Sequence, residues 1–108
     1  MTRTTTLAAL LALLAAPALA DDAEAYDAPL AADASDEDRM GRCAGLMYLL
    51  RDPERADPDP DAIDTAFLRF RHHARNKATR AGADRYDETD DAIWAADRET
   101  CLAAVPDW

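Results

Sequence analysis

Gly41-Arg42-Cys43-Ala44-Gly45-Leu46-Met47-Tyr48-Leu49-Leu50 is the densest apolar run after the first twenty residues, and it holds one of only two cysteines in the 108-residue chain. Met40, Cys43, Ala44, Met47 and Leu50 recur at helical spacing, with Leu46 and Leu49 broadening the face. Ser35 followed by Asp36, Glu37 and Asp38 supplies a capping hydroxyl and carboxylates for the positive end of a helix dipole. Arg51-Asp52-Pro53 supplies the stop, because proline disfavours helix in the residue before it. A first helix is therefore expected from Ser35 or Asp36 to about Leu50.

The second cysteine, Cys101, gives that helix a partner. A disulfide needs Cα atoms about 4.4–6.8 Å apart, closer than the roughly 8–10 Å between packed helix axes, so small neighbours help. Gly41, Ala44 and Gly45 flank Cys43, and Thr100, Ala103 and Ala104 flank Cys101. The Gly41/Gly45 spacing would suit membrane helix dimerisation in a long apolar segment, but this one is too short and polar. A Cys43–Cys101 bond is the expectation, given an even cysteine count in an exported chain.

Export is read from residues 1–20. Arg3 precedes an apolar Leu/Ala run from Leu7 to Ala16, and Ala18-Leu19-Ala20 is a small-x-small cleavage pattern that would leave Asp21 first. The run is too short for a comfortable membrane span. Removing it takes Arg3 from the 12 basic residues, leaving 11 against 22 acidic ones, a net charge of −11 on 88 residues. That acidity, with no basic block, argues against nucleic acid and anionic lipid as partners. Residues 21–34 are mostly Ala and Asp and read as a flexible arm whose only anchors are Tyr26 and Leu30. Residues 35–108 form the domain.

A second helix is expected from Pro60 to about Ala81, with Asp59 as cap and Pro60 at its first position. Ile63, Ala66, Phe67, Phe70, Ala74 and Ala78 make its face, and Gly82 stands where a left-handed C-terminal cap belongs. An acidic turn, Ala83 to Asp87, then leads to a third helix from Glu88 or Thr89 to Val105, bearing Trp94, Arg98, Cys101, Leu102 and Val105 on one face and ended by Pro106. The fold expected is all-α: three helices joined by short loops, with the first and third parallel and stapled by the disulfide.

The chemistry-bearing residues are few. Asp57, Asp59, Asp61 and Asp64 suggest calcium, but counting from Asp57 puts Ala62 at the required glycine and Leu68 at the bidentate glutamate, so the loop pattern fails. Met40 and Met47 beside Cys43 read as core filler rather than soft metal ligands. His72 and His73 are adjacent and point about 100° apart, so they cannot chelate one ion as an i, i+4 pair does. No metal or cofactor is expected. The sequence offers no nucleophile–base pair and no glycine-rich phosphate loop, so it does not read as an enzyme.

The one local contrast is a basic stripe, Arg69, Arg71, Arg75, Lys77 and Arg80, on an acidic chain. Arg69, Arg71, Arg75 and Arg80 are the candidate partner-binding residues, and the expectation is an exported accessory module that docks another protein of the bacterial cell envelope. In size, export and the single pair Cys43 and Cys101 the chain resembles the small periplasmic acid-stress chaperones, though its cysteine spacing departs from theirs. That resemblance implies an alternative in which acid loosens the domain and exposes apolar faces to unfolded clients. A haem or metal carrier using His72 or His73 is a second alternative.

Overall fold

A computed structural model describes residues 24–108, so the expected signal peptide and its cleavage site lie outside the described residues. These form four helices: α1 (Asp36–Leu50), α2 (Pro60–His73), α3 (Asn76–Asp87) and α4 (Asp91–Ala103), with a single 3-10 turn at Pro53–Arg55. There is no strand among the described residues.

The N-terminal capping signals of α1 and α2 act as expected. Ser35 Oγ accepts from the Asp38 amide at 3.2 Å and Asp59 Oδ1 from the Ala62 amide at 3.2 Å, each satisfying an orphan donor of a first turn. Cys43, Ala44, Leu46 and Met47 from α1 meet Ile63, Ala66 and Phe70 from α2, and all seven are fully buried. Cys43 and Cys101 are bonded, with their Cα atoms 5.6 Å apart.

The expected second helix is two helices. The chain leaves the α conformation at Ala74 (φ −99°, ψ 146°) and Arg75 (φ −73°, ψ 152°) and re-enters it at Asn76. The reason is tertiary. One straight helix over residues 60–87 would run about 42 Å, roughly twice the 22 Å of α1, and would carry its far end away from the core. The break returns the chain so that Thr79, Gly82, Ala83 and Tyr86 form a buried face. No Ser, Thr, Asp or Asn occupies the N-cap of α3; Arg75 stands there with no side-chain capping bond. Residues 83–87, expected as a turn, are the last part of α3, and α4 starts only at Asp91.

Gly82 is accordingly not a left-handed cap but an interior helical residue, and no glycine in the described chain has a positive φ. The three glycines of the sequence all sit where α1 crosses α3. This also corrects the role expected of Gly41 and Gly45, which face α3 rather than the helix of Cys101. A Cβ on Gly45 would lie 2.7 Å from the Gly82 carbonyl carbon and 2.8 Å from Thr79 O, and nearer still to the Ala83 nitrogen, all of them backbone. A Cβ on Gly41 would meet only the Ala78 methyl closely, at 3.1 Å. Gly45→Ala should therefore destabilise by about 1–3 kcal/mol through overpacking, outweighing the roughly 0.5–1 kcal/mol that alanine gains over glycine inside a helix. Gly41→Ala should be close to neutral. Thermal melts of the two variants check this; equal melting points would mean that α1 and α3 do not meet backbone to backbone.

Residues 24–34 have no helix or strand, and both candidate anchors of this arm engage the helices. Leu30 is buried in the core and Tyr26 stacks on Tyr86 with ring centroids 4.6 Å apart.

Candidate functional site

Three polar features bear on function: a buried ion pair, a loop latch and a groove. The ion pair joins Arg42 of α1 to Asp97 of α4, whose side chain is fully buried. Asp97 Oδ2 accepts from Arg42 Nη2 at 2.6 Å, from Arg42 Nε at 3.2 Å and from the Tyr86 hydroxyl at 2.6 Å, while Oδ1 accepts from the Leu30 amide at 2.7 Å. Arg42 also donates to Ala28 O at 2.7 Å and to the Tyr86 hydroxyl at 2.9 Å. Its guanidinium lies 3.8 Å from the centre of the Tyr26 ring, and Arg85 lies 4.0 Å from it, a cation–π arrangement.

Burial and then the Asp97 hydrogen bond push the Tyr86 hydroxyl far above its ordinary value, so it stays a donor. Burial also raises Tyr26, against the pull of Arg85 and Arg42. For Arg42, burial opposes the charge, but the hydrogen bonds with Tyr86 and Asp97 prevail and its pKa lies above the ordinary value. These bonds tie the arm to α1, α3 and α4. The sequence reading missed the cluster, although Asp97 stands three residues after Trp94 and four before Cys101, a carboxylate on the apolar face of α4.

The latch ties the 53–59 loop to α4. Arg98 Nε and Nη2 donate to Asp57 Oδ1 and Oδ2 at 2.8 and 2.9 Å, a bidentate pair in which the Asp57 side chain is 4 % exposed. The bonds from Arg98 hold the Asp57 carboxyl below the usual carboxylate range. Asp57 is thus engaged by Arg98, Asp59 caps α2, and Asp64 accepts from Arg51 at 2.9 Å. Among the described residues no three His, Cys, Asp or Glu side chains converge as metal ligands. The His72 and His73 rings stack edge to face at 5.1 Å, and His72 packs the same way on Trp108 at 5.7 Å.

The helix break scatters the expected arginine stripe. Arg69 donates to Pro106 O at 3.3 Å and lies 5.4 Å from the centre of the Trp108 ring. Arg75 lines a separate surface pocket of about 570 Å³ with Met40, His73 and Trp108. Arg71 and Arg80, from opposite sides of the break, line one groove of about 610 Å³ together with Tyr48, Phe67 and Asp84. Arg71 Nη2 and Nε donate to Asn76 Oδ1 at 2.7 and 3.2 Å, which orients the guanidinium without neutralising it.

The fold and these features define a small all-helical protein with one interhelical disulfide and an ion-paired polar core. Comparison with protein-family models, with curated proteins and with solved structures finds no match. Among the described residues no helix is long and apolar enough to cross a membrane.

Proposed function

We propose that the protein is a non-enzymatic binding module that docks another protein of the cell envelope. One observation carries this reading: on a chain of net charge −10, Tyr48 is 54 % exposed beside a groove that also holds Arg71 and Arg80. Aromatic and arginine side chains dominate the energetic centres of protein interfaces. The other large apolar groups of α1 are buried or half-buried. A disulfide between two fully buried cysteines is compatible with an oxidising, exported setting.

The experiment is a photo-crosslinking amino acid placed at Tyr48, with Asp91 as a control, in cells producing the full chain. A discrete adduct at Tyr48 that is absent at Asp91, its partner identified by mass spectrometry, is the expected result. Equal labelling at both positions, or none, counts against a docking role for this face.

The Asp57–Arg98 latch favours a second reading, the acid-responsive one. Arg55, in the latched loop, lies 4.3 Å from the centre of the Trp94 ring. Because the folded Asp57 pKa is depressed, its contribution is fully present above the unfolded value of about 3.9 and is lost as pH falls through the folded value. Hydrogen bonds to a charged partner contribute about 1.5–3 kcal/mol. Acid below about pH 4 should then release the loop and expose Trp94. In Trp108→Phe protein the Trp94 emission should shift to the red over that range, and Asp57→Asn should show the shift already at pH 7. A pH-independent emission spectrum would remove the acid reading.

A further inference from the structure

We infer that the groove at Tyr48 takes a short peptide segment of a partner protein that carries carboxylates at one end, an aromatic or aliphatic anchor in its middle and a basic residue at the other; this rests on the binding-module reading and names its ligand. The charge argument comes from which arginines are satisfied. Arg39, Arg42, Arg51, Arg55 and Arg98 each pair with a carboxylate. Arg71 and Arg80, like Arg69, Arg75 and Arg85, pair with none among the described residues, but these two alone line the groove beside the exposed Tyr48. Arg71 is held by the neutral Asn76 amide, so its ordering is already achieved while its charge remains available. Pre-ordering of this kind lowers the entropic cost of engaging an incoming carboxylate.

The apolar middle follows from the aromatic pair. Phe67 is only 6 % exposed and its ring centroid lies 6.0 Å from that of Tyr48, so the exposed tyrosine borders a buried aromatic wall. An apolar side chain set there would cover the exposed part of the Tyr48 ring.

Direction comes from α3. Arg80, Asp84 and Asp87 follow one another at three- and four-residue spacing and therefore lie along one face of that helix, with the positive charge toward its start and the negative charge toward its end. Asp84 and Asp87 oppose a continuous polyanion such as nucleic acid or an acidic polysaccharide. Asp87 is already paired with Arg55 at 3.8 Å, so Asp84 is the carboxylate left for the basic residue of the segment.

The test is selection of a phage-displayed random heptapeptide library on the oxidised full chain, followed by anisotropy of a fluorescein-labelled winner. The expected consensus has Asp or Glu at one end, Phe, Tyr, Trp or Leu centrally and Lys or Arg at the other. Arg71→Glu, Arg80→Glu and Tyr48→Ala should each weaken binding at least tenfold, and Arg75→Glu, in the other pocket, should leave it unchanged; circular dichroism and the retained disulfide check folding. No enrichment, a consensus without carboxylates, or binding indifferent to Arg71 and Arg80 overturns the proposal. Indifference with a surviving Tyr48 crosslink leaves the docking role standing and rejects only this ligand. A Tyr48-dependent dimer in sedimentation would make the occupant a second copy of the chain and equally overturn it.

Discussion

Loss of the Cys43–Cys101 bond should lower the melting temperature by on the order of 20 °C. The bond closes a loop with a sequence separation of 58, worth about 4 kcal/mol in the chain-entropy account. A domain this small has a total stability of about 5–15 kcal/mol and shifts its midpoint by roughly 4–8 °C per kcal/mol. Cys43→Ala/Cys101→Ala, melted beside the oxidised parent, gives the number. A shift under about 5 °C would mean that the reduced chain retains the α1–α4 contact in its unfolded ensemble, since cross-links stabilise mainly by restricting that ensemble. Both cysteines are fully buried, so a thiolate reaches the bond only when the domain opens. Dithiothreitol should accordingly leave the protein oxidised in native buffer and reduce it near the urea midpoint.

The bond could be read from residues alone because the chain has only two cysteines, and α1 and the start of α2 because their signals are local. Ser35 and Asp59 cap through side chains three residues away from their targets, and the Cys43 face repeats at helical spacing. The break at Ala74–Arg75 carries no such mark. It arises from what lies 30 residues earlier: Gly41 and Gly45 offer a backbone-deep recess, and Gly82 can enter it only if α3 turns back. Reading the basic segment as one stripe overlooked helix geometry as well as the break. Arg71 and Arg80 share a groove because the chain bends between them, whereas Arg69, two residues before Arg71 on the same helix, points about 200° away from it. Asp97 was legible by position, as a carboxylate on the apolar face of a short helix, but its partner Arg42 lies 55 residues away and no local rule selects it.

Replacing Asp97 by alanine should destabilise the protein by about 3–5 kcal/mol, because breaking a buried pair leaves its other member uncompensated. Arg42, 14 % exposed at its side chain, would keep its charge with only the Ala28 carbonyl and the Tyr86 oxygen as acceptors. The Tyr86 hydroxyl and the Leu30 amide would lose their acceptor. Asp97→Asn should cost less, since the amide oxygen still accepts one of these bonds. Joint replacement, Arg42→Met with Asp97→Leu, should recover only part of the loss, because it removes the uncompensated charge but still leaves the Tyr86 hydroxyl and the Leu30 amide without an acceptor. Urea titration of the parent, Arg42→Met, Asp97→Leu and the double variant measures the coupling. The cluster also has a local signature that global stability does not report. The Leu30 amide donates to Asp97 and to nothing else in the described chain, and Tyr26 is held between Arg42 and Arg85. In Asp97→Ala protein, amide exchange at Leu30 should approach the rate of an unprotected amide, while Leu46 and Met47, fully buried in α1, exchange only through global opening. Protection that persisted at Leu30 would mean that Leu30 burial and the Tyr26 stack fix the arm without the ion pair. Uniform loss at all three would mean that the pair holds the whole helical core and not the arm alone.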